Sequence, residues 1–279
     1  MIIEHVINNN IISTFDGATE IVVSGKGIGF GKRKGDSVDD WRVEKIYRME
    51  NKEKLGAFKD LLVKVPLEYL KITDEIINMA NQKLNCELNE NIYITLTDHI
   101  NFALERYKKG MQFENALTAE VKVYYPVEFH IGQQAVKMIR ERTGNDLRVD
   151  EAASIALHLV SAEYSTKMSV AYEMTQTVNQ IFVIIHESLD PYNPFIQEKM
   201  EELIPSIKHF AFRVLMDKQY QDNDLELFEF IKQHYKTEYE CCNAIAGYIE
   251  KRFDKQIAIE EKSHLILTLK MVKRDSFTE

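Results

Sequence analysis

The chain has 279 residues, of which 45% are hydrophobic and 28% charged, and its formal net charge is −9. This composition is typical of a soluble globular protein of about two domains. The sequence has no apolar run of the roughly 18 residues that a membrane helix needs, which excludes membrane insertion. The negative charge also argues against nucleic acid as a partner of the chain as a whole.

The compartment is predicted from the cysteines and from the N-terminal segment. Cys86, Cys241 and Cys242 are odd in number and form no CxxC pair, which indicates reduced thiols. The first ten residues, MIIEHVINNN, lack the basic segment and apolar core of a secretory signal. A cytoplasmic protein is therefore expected.

The first 50 residues have the pattern of a small antiparallel β-sheet. Short β-branched runs are separated by the turn signals Asn8-Asn9-Asn10 and Asp16-Gly17, and 41–47 is the predicted last strand. We expect the asparagine turn to use positive φ, which asparagine tolerates. A domain of about 55 residues buries little apolar surface alone, so dimerisation is expected to stabilise it.

Glycine occupies every second position from Gly25 to Gly31, within the stretch SGKGIGFGKRKGD. No register of this stretch satisfies GxGxxG. A P-loop is also excluded, because Lys26 stands where its first glycine should be and Arg33 where Ser or Thr should follow. The stretch is therefore not predicted to cradle a nucleotide.

Two interpretations of the glycine stretch remain open from the residues alone. If it is extended, the four glycines face one side and Lys26, Ile28, Phe30 and Lys32 face the other. An exposed aromatic between cations suits RNA, because cations contact phosphates and an aromatic ring stacks on an unpaired base. The alternative is an edge strand with Phe30 in the core and solvated lysines.

The charge distribution is compatible with the first interpretation and leaves the second one open. Residues 1–55 contain nine Lys or Arg and nine Asp or Glu, so the rest of the chain carries the whole −9. No acid interrupts the cluster of Lys26, Lys32, Arg33 and Lys34. Because salt screens charges beyond about 8–10 Å, such a local patch can bind phosphates on an acidic protein.

After Glu50 the pattern becomes helical, following a predicted linker at 51–57. Ile72, Ile76, Ile77 and Ala80 fall at helix spacing, and Thr73 is the predicted start of that helix. Gly144 is predicted to end a helix. Further helices are predicted at 92–104, 116–124, 131–140 and 151–163, and a similar set at 170–273.

The helical part contains a weak internal repeat. Residues 98–106 match 205–213, and 155–160 match 267–272, at offsets of 107 and 112 residues. A period of roughly 110 residues is too long for a solenoid unit. It predicts two copies of one helical domain.

Four segments together resemble the BglG/SacY/LicT family of bacterial transcriptional antiterminators. They are VINNNII at 6–12, GKGIGFGKRKGDSVD at 25–39, LTDHINFALER at 96–106 and ALHLV at 156–160. The resemblance extends over essentially the whole chain. It implies a dimeric RNA-binding protein that holds an antiterminator hairpin in the leader of a sugar-utilisation transcript, so that the terminator hairpin cannot form.

The resemblance also implies a domain organisation and a fold class. A small antiparallel β RNA-binding domain is expected at 1–57. Two all-α helical-bundle domains, regulated by the sugar phosphotransferase system, are expected at 64–168 and 169–279. No enzymatic activity and no cofactor are implied.

The family's RNA-contacting positions carry over to seven residues of this sequence. They are Asn8, Asn10, Gly25, Lys26, Phe30, Gly31 and Lys32. Two of them depart from the family, since Lys26 replaces the common arginine and Gly31 a larger polar residue. Lysine keeps the charge but lacks the planar fork of arginine, so the preferred RNA is expected to differ from that of relatives.

His99 and His158 match the family's phosphorylatable histidines in the first regulatory domain. From composition alone, a hydrogen-bonded structural histidine is the more common case. The resemblance implies instead that a sugar-specific enzyme II component phosphorylates both residues and thereby inhibits RNA binding. A neutral imidazole is nucleophilic near pH 7, and a phosphoryl group adds roughly two negative charges.

The second repeat lacks both expected histidines. The matches at offsets 107 and 112 place Ser206 opposite His99 and Lys270 opposite His158. His209, three residues after Ser206, is the candidate for a secondary phosphorylation site. We therefore expect activation by phosphotransfer from HPr to the second domain to be lost or altered, and HPr stays open as a partner.

Two alternatives belong to other functional classes. A DNA-binding activator with the same regulatory domains would need a helix-turn-helix, whereas residues 1–55 show turn-linked strands. An enzyme that used His99 and His158 in phosphotransfer would need a nucleotide or metal site. The remaining histidines show no HExxH or paired ligand spacing, so no metal site is predicted.

Overall fold

The computed structural model describes residues 1–111, 114–189, 196–221 and 224–272. The chain divides into a first unit, Met1–Met168, and a second unit, Ser169–Glu279. The first unit begins with an antiparallel sheet and continues in helices, and the second is helical. The predicted fold class, a small β domain followed by all-α regulatory domains, is confirmed.

Four short strands form the sheet, and their order across it follows their order in the chain. They are β1 (Ile3–Asn8), β2 (Ile11–Asp16), β3 (Thr19–Ser24) and β4 (Lys45–Tyr47). The predicted last strand is too long, because Asp40–Arg42 forms a turn of 3-10 helix and pairing with β3 begins only at Lys45. The turn at Gly17 forms as predicted, with φ of +61°.

Each face of the sheet is covered by a different part of the first unit. On one face, Ile11, Val22 and Tyr47 pack with Phe58 and Leu62 of the helical part. On the other face, the sheet packs against the segment that joins β3 to β4, which contributes the buried side chains of Ile28 and Val38. The sheet therefore shares its core with the glycine stretch on one side and with helices on the other.

Six helices complete the first unit. They are α1 (Lys52–Lys64), α2 (Leu67–Leu84), α3 (Ile92–Lys108), α4 (Thr118–Tyr124), α5 (Pro126–Thr143) and α6 (Asp150–Glu163). The predicted linker at 51–57 is wrong, because Asn51 accepts a hydrogen bond from the Lys54 N–H and caps α1. Helix α2 begins directly after Pro66 rather than at Thr73.

Helices α5 and α6 approach each other closely at a glycine. A Cβ atom on Gly132 would lie 2.2 Å from the backbone oxygen of Ala152, so only glycine fits this crossing. Gly144 ends α5 as predicted, with φ of +70° and a hydrogen bond from its N–H to the Arg140 oxygen. The close crossing fixes the start of α6, which carries Glu151 and, two turns later, His158.

The second unit contains five helices. They are α7 (Met168–Leu189), α8 (Ile196–Leu215), α9 (Leu225–His234), α10 (Lys236–Phe253) and α11 (Ile259–Val272). Their core includes Ile181, Ile207, Ile245 and Ile266, all buried. Within the ranges given above, no helix is both long and apolar enough to cross a membrane.

Candidate functional site

The glycine stretch forms a chain of tight turns and is not extended. The N–H groups of Ile28, Phe30 and Lys32 each donate to the carbonyl oxygen three residues earlier, at 3.2 Å. The predicted arrangement with four glycines on one face is therefore wrong. Glycine at every second position also matches the period of a strand, and this coincidence produced the error.

Two of the four glycines are required by close backbone approach. A Cβ atom on Gly25 would lie 1.9 Å from the carbonyl oxygen of Arg42, and one on Gly29 would lie 2.4 Å from that of Asn8. Real Cβ atoms do not come this close to backbone oxygens. The turns can therefore lie against the sheet only because these positions have no side chain.

The other two glycines are required by backbone conformation. Gly27 has φ of +64° and Gly31 has φ of +68°, in the left-handed region that other residues rarely adopt. Neither position is crowded, since a Cβ atom on either would meet no atom within 4 Å. The alternating glycines thus combine two different constraints in one loop.

Of the four side chains between and after the glycines, the turns expose three and bury one. Phe30 is 72% exposed, and Lys26 and Lys32 are also exposed, whereas Ile28 is only 1% exposed and belongs to the sheet core. The alternative with Phe30 in the core is wrong. An aromatic side chain is therefore exposed between two cations of the sequence, on a loop held by backbone hydrogen bonds, which agrees with the RNA interpretation.

Asn8 and Asn10 organise this loop through their side chains. Asn10 Oδ1 accepts a hydrogen bond from the Gly27 N–H at 2.8 Å, and Asn8 Oδ1 accepts from the Asn10 N–H at 2.9 Å. Asn8 Nδ2 donates to the Leu62 oxygen at the end of α1, at 3.1 Å. Neither asparagine has positive φ, so the prediction that the turn uses asparagine for its tolerance of positive φ is wrong. The asparagine side chains instead stabilise the turn through hydrogen bonds to the backbone.

The basic cluster of the loop is exposed and partly tethered. Lys34 forms an ion pair with Glu4 on β1, and Lys32 Nζ donates to the Ser37 oxygen at 3.2 Å. The side chains of Lys26 and Arg33 are exposed. The cluster therefore presents positive charge beside Phe30, as predicted from the sequence.

Glu44 connects the loop to the helical part of the first unit. Its Oε1 accepts a hydrogen bond from the Lys26 N–H at 3.1 Å, and its Oε2 lies 2.9 Å from Lys71 Nζ on α2. The Lys71 ammonium group holds the pKa of the Glu44 carboxyl below its usual range. One carboxylate thus bridges an RNA-contacting candidate and a helix of the regulatory part.

A second, more buried connection lies beside it. Asp74 on α2 accepts hydrogen bonds from Lys45 Nζ at 2.9 Å and from the Tyr47 hydroxyl at 2.6 Å. Lys45 Nζ also donates to the Tyr93 hydroxyl on α3, at 3.1 Å. Burial raises the pKa of the Asp74 carboxyl in spite of these donors. Strand β4 is therefore fixed to both α2 and α3.

The structure brings together the two histidines predicted as phosphorylation sites. The ring of His99 on α3 and that of His158 on α6 have centroids 4.8 Å apart. His99 Nε2 lies 3.0 Å from Glu151 Oε2, and Arg106 Nη2 donates to Glu151 Oε1 at 2.7 Å. The sequence analysis missed Glu151 and Arg106, although Arg106 ends a repeated segment.

Burial and neighbouring charges determine the protonation states of Glu151 and His158 in this site. Burial opposes ionisation of Glu151, but His99 and Arg106 outweigh it and keep the pKa of its carboxyl below the usual range. Burial, and then the neighbouring His99, lower the pKa of His158 well below its usual value. His158 is therefore a neutral imidazole at pH 7, and its Nδ1 has no hydrogen-bond partner in the described part of the chain.

The second unit contains a corresponding Arg–Glu pair. Arg213 on α8 contacts Glu261 on α11 through two hydrogen bonds, of 2.7 and 2.8 Å. Arg213 follows Arg106 by 107 residues, and Glu261 follows Glu151 by 110. Because both units contain this contact, the two offsets align one unit with the other. The offset of 107 places Ser206 at the position of His99, as predicted.

The offset of 110 corrects the second equivalence. It places Thr268, and not Lys270, at the position of His158. Burial supports this register, because Leu159 then matches the buried Leu269, whereas the offset of 112 would match it to Met271, which is 65% exposed. Lys270 instead lies over the Tyr235 ring, at 5.4 Å, and 4.0 Å from Glu238.

Ser206 and Thr268 line a cavity of about 340 Å³ in the second unit, together with the histidines at 209 and 264. His209, the predicted secondary site, is exposed at the edge of this cavity. Neither histidine occupies the position of His99 or His158. Among the residues that the structure describes, no group of three His, Cys, Asp or Glu could hold a metal ion.

Two family profiles match the first unit. The profile described as CAT RNA binding domain matches residues 1–55, and the one described as PRD domain matches residues 74–162. The first covers the sheet and the glycine loop. The second covers both histidines of the candidate site.

Similar proteins match along nearly the whole chain. Transcription antiterminator LicT from Bacillus subtilis is 36% identical, over 99% of this chain and 100% of LicT. The beta-glucoside operon antiterminator of Dickeya chrysanthemi is 34% identical, over 99% and 98%. The crystal structure of GlcT CAT-PRDI matches with a TM-score of 0.51 at 34% identity, and covers 58% of this chain and 96% of that one.

We expect Gly29→Ala to destabilise the first unit by about 1–3 kcal/mol, because the new methyl group collides with the Asn8 carbonyl. Hydrogen exchange of the β1 and β2 amides in the full chain measures the loss. Gly56→Ala in α1 is the matched control, since nothing lies within 4 Å of that position and alanine favours the helix. Unchanged protection in Gly29→Ala would contradict the close approach.

We expect the stability of the first unit to fall as the pH drops below about 6.5. The unfolded chain then protonates His158, whereas burial keeps the folded His158 neutral, so its contribution is complete above pH 6.5 and decreases toward the folded pKa. The slope attributable to one proton is at most about 1.4 kcal/mol per pH unit.

His158→Gln should lose this part of the slope, and His130→Gln, at an exposed position on α5, should keep it. The free energy of unfolding of both variants is measured by urea unfolding between pH 7 and pH 5.5, with hydrogen exchange of the α6 amides as the probe. An identical slope in His158→Gln and the parent chain would show that His158 is not the group that titrates.

Proposed function

This chain belongs to the family of RNA-binding transcription antiterminators that combine a CAT RNA-binding domain with PRD domains, and from this membership we propose how it contacts RNA and how phosphorylation controls it. Members of the family bind RNA and are not enzymes. Because members of the family bind RNA, the membership contradicts the alternative of a DNA-binding activator. The observation that carries the proposal is the hydrogen-bonded loop that exposes Phe30 between Lys26 and Lys32.

In the proposed complex, the residues of the loop fall into two groups. Lys26 and Lys32 contact phosphates, and Phe30 stacks on an unpaired base of the antiterminator hairpin. Gly31 has no side chain, which lets the RNA approach the backbone next to Phe30. These residues form the contacting group.

Asn8, Asn10 and Gly25 act mainly by positioning. Both oxygens of the asparagine side chains already accept hydrogen bonds from the backbone of the turns, and Gly25 lies against Arg42. An RNA contact from the asparagines would use the outer side of the same turn. The loop therefore reaches the RNA already ordered, which lowers the entropy cost of binding.

The active form that we propose is a homodimer in the cytoplasm. Strand β1 is the outer strand of the sheet, and although its start pairs with Gly35 and Asp36, Ile2 before it and Val6 on it are exposed apolar residues. A second copy would cover such an edge. We also propose the three-domain division at 1–57, 64–168 and 169–279, with α1 spanning the first boundary.

For control, we propose that a sugar-specific enzyme II component phosphorylates His99 and His158 and thereby weakens RNA binding. A phosphoryl group brings about −2 charge next to Glu151, whose carboxylate is 3.0 Å from His99 Nε2. Repulsion would break the contact between α3 and α6. Since α3 also carries Tyr93, the change would reach Lys45 on β4 and its neighbour Glu44, which holds the Lys26 turn.

Activation through the second unit is proposed to be lost or altered. Ser206 and Thr268 stand where the first unit has its two histidines, and neither side chain can be phosphorylated as a histidine is. His209 remains the secondary candidate, and HPr a partner only through that residue. Control of this protein would then be mainly inhibitory.

We expect Phe30→Ala to weaken binding of the antiterminator hairpin by about 1–3 kcal/mol, the usual loss for one base–aromatic stack. Phe15→Ala on β2 is the matched control, because Phe15 is exposed on the same domain but outside the loop. Fluorescence anisotropy with hairpin RNA and with duplex DNA of equal sequence measures both variants. Equal losses in the two variants, or equal binding of DNA, would contradict the proposed contact.

Incubation with phosphorylated HPr and the cognate enzyme II component should place phosphate on His99 or His158 and lower RNA affinity on the same sample. Residue-level mass spectrometry gives the map. The double variant His99→Ala, His158→Ala should keep its RNA affinity under these conditions. Phosphate on His209 together with tighter RNA binding would overturn the inhibitory scheme.

A further inference from the structure

The two units share an Arg–Glu pair but use its carboxylate differently. In the first unit, Glu151 divides its two oxygens between Arg106 and His99. In the second unit, Arg213 takes both oxygens of Glu261, and the Tyr220 N–H donates to Oε1 at 3.2 Å. Glu261 is fully buried, and these three hydrogen bonds occupy both of its oxygens.

The space next to this pair also differs between the units. In the first unit it contains two imidazole rings whose centroids are 4.8 Å apart. In the second unit, Ser206 and Thr268 are too small to fill the corresponding space, and a cavity of about 340 Å³ is found there. This volume is within the range of small-molecule sites, at its lower end.

The polar groups around the cavity are one guanidinium, two imidazoles, one carboxylate and three hydroxyl groups, of which the Thr268 hydroxyl already donates to the His264 oxygen at 2.8 Å. Ser206 and His209 lie at its edge, and the Arg213 guanidinium lies over the Tyr220 ring, at 4.5 Å. His264 contributes a second imidazole, whose Nε2 lies 3.0 Å from Glu260 and whose ring is 5.3 Å from that of Tyr220. Glu261, the one carboxylate among the described lining residues, accepts three hydrogen bonds from Arg213 and from the Tyr220 N–H.

We propose that the second unit binds a small phosphate monoester in this cavity, without becoming phosphorylated. Arginine, imidazole and hydroxyl donors suit a phosphoryl group, which offers several strong acceptor oxygens. A neutral polyol carries no charge for the arginine and the imidazoles to pair with, so the charged ester is expected to bind more tightly. Phe210 and Tyr220 give the carbon part of the ester an apolar wall. The site replaces a covalent phosphoryl group by a reversible ligand.

Calorimetric titration of the full, unphosphorylated chain tests the proposal with three probes: glucose 6-phosphate, inorganic phosphate and glucose. We expect glucose 6-phosphate to bind, inorganic phosphate to bind more weakly, and glucose not to bind. Equal binding of glucose and glucose 6-phosphate, or binding of none of the three, would overturn the proposal.

Variants assign any binding to the cavity. His264→Gln should weaken binding of glucose 6-phosphate about tenfold or more, the usual effect of losing one charge-assisted hydrogen bond. His234→Gln, an exposed histidine of the same unit outside the cavity, should leave binding unchanged. An unchanged affinity in His264→Gln would place the ligand elsewhere.

The double variant Ser206→His, Thr268→His fills the cavity with the residues that occupy this place in the first unit. It should bind no glucose 6-phosphate, and binding that persists in it would exclude the cavity. Should this variant not fold, the comparison of His264→Gln with His234→Gln still decides. None of these experiments uses RNA, so their outcome is independent of the proposed RNA contacts.

Discussion

The small sheet of the first unit cannot form a core without covering both of its faces, and much of that unit's organisation follows from this constraint. One face is covered by the turns that begin at Gly25, through Ile28. The other is covered by α1 and the helices after it, through Phe58 and Leu62. The segment that exposes Phe30 is therefore also a layer of the core, and the buried Ile28, two residues away, packs against the sheet.

In each helical unit, one Arg–Glu pair also has two roles. It joins two helices, and the contacts of its carboxylate determine which groups are available next to it. In the first unit the carboxylate of Glu151 lies 3.0 Å from His99 Nε2, so a charge added to that ring would act directly on it. In the second unit, Arg213 donates to both oxygens of the Glu261 carboxylate, and the neighbouring residues define the proposed ligand site. Two copies of one scaffold can thus differ in function through the partners of a single glutamate.

The sequence was sufficient to predict most of the strands and helices and to identify His99 and His158 as a pair. Apolar periodicity located the sheet and most helices, and the family resemblance identified His99 and His158, which the structure brings to 4.8 Å. The glycine turns could not be predicted, because glycine at alternate positions fits a strand equally well. Thr268 was missed because its apolar neighbours match in two registers, and only the Arg213–Glu261 contact and the burial of Leu269 separate them. The contacts of Asp74 join distant segments, so no local pattern indicates them.

The glycine loop also limits how proteins of this architecture can diversify. Gly25 and Gly29 are fixed by contact with Arg42 and Asn8, while Gly27 and Gly31 are fixed by their φ angles. Only the positions between them can vary without disturbing the sheet, and of these Ile28 is buried. Under the proposed RNA contact, a change of RNA target would have to come from a handful of exposed side chains. Related proteins with different RNA targets would then differ by very few substitutions in this loop.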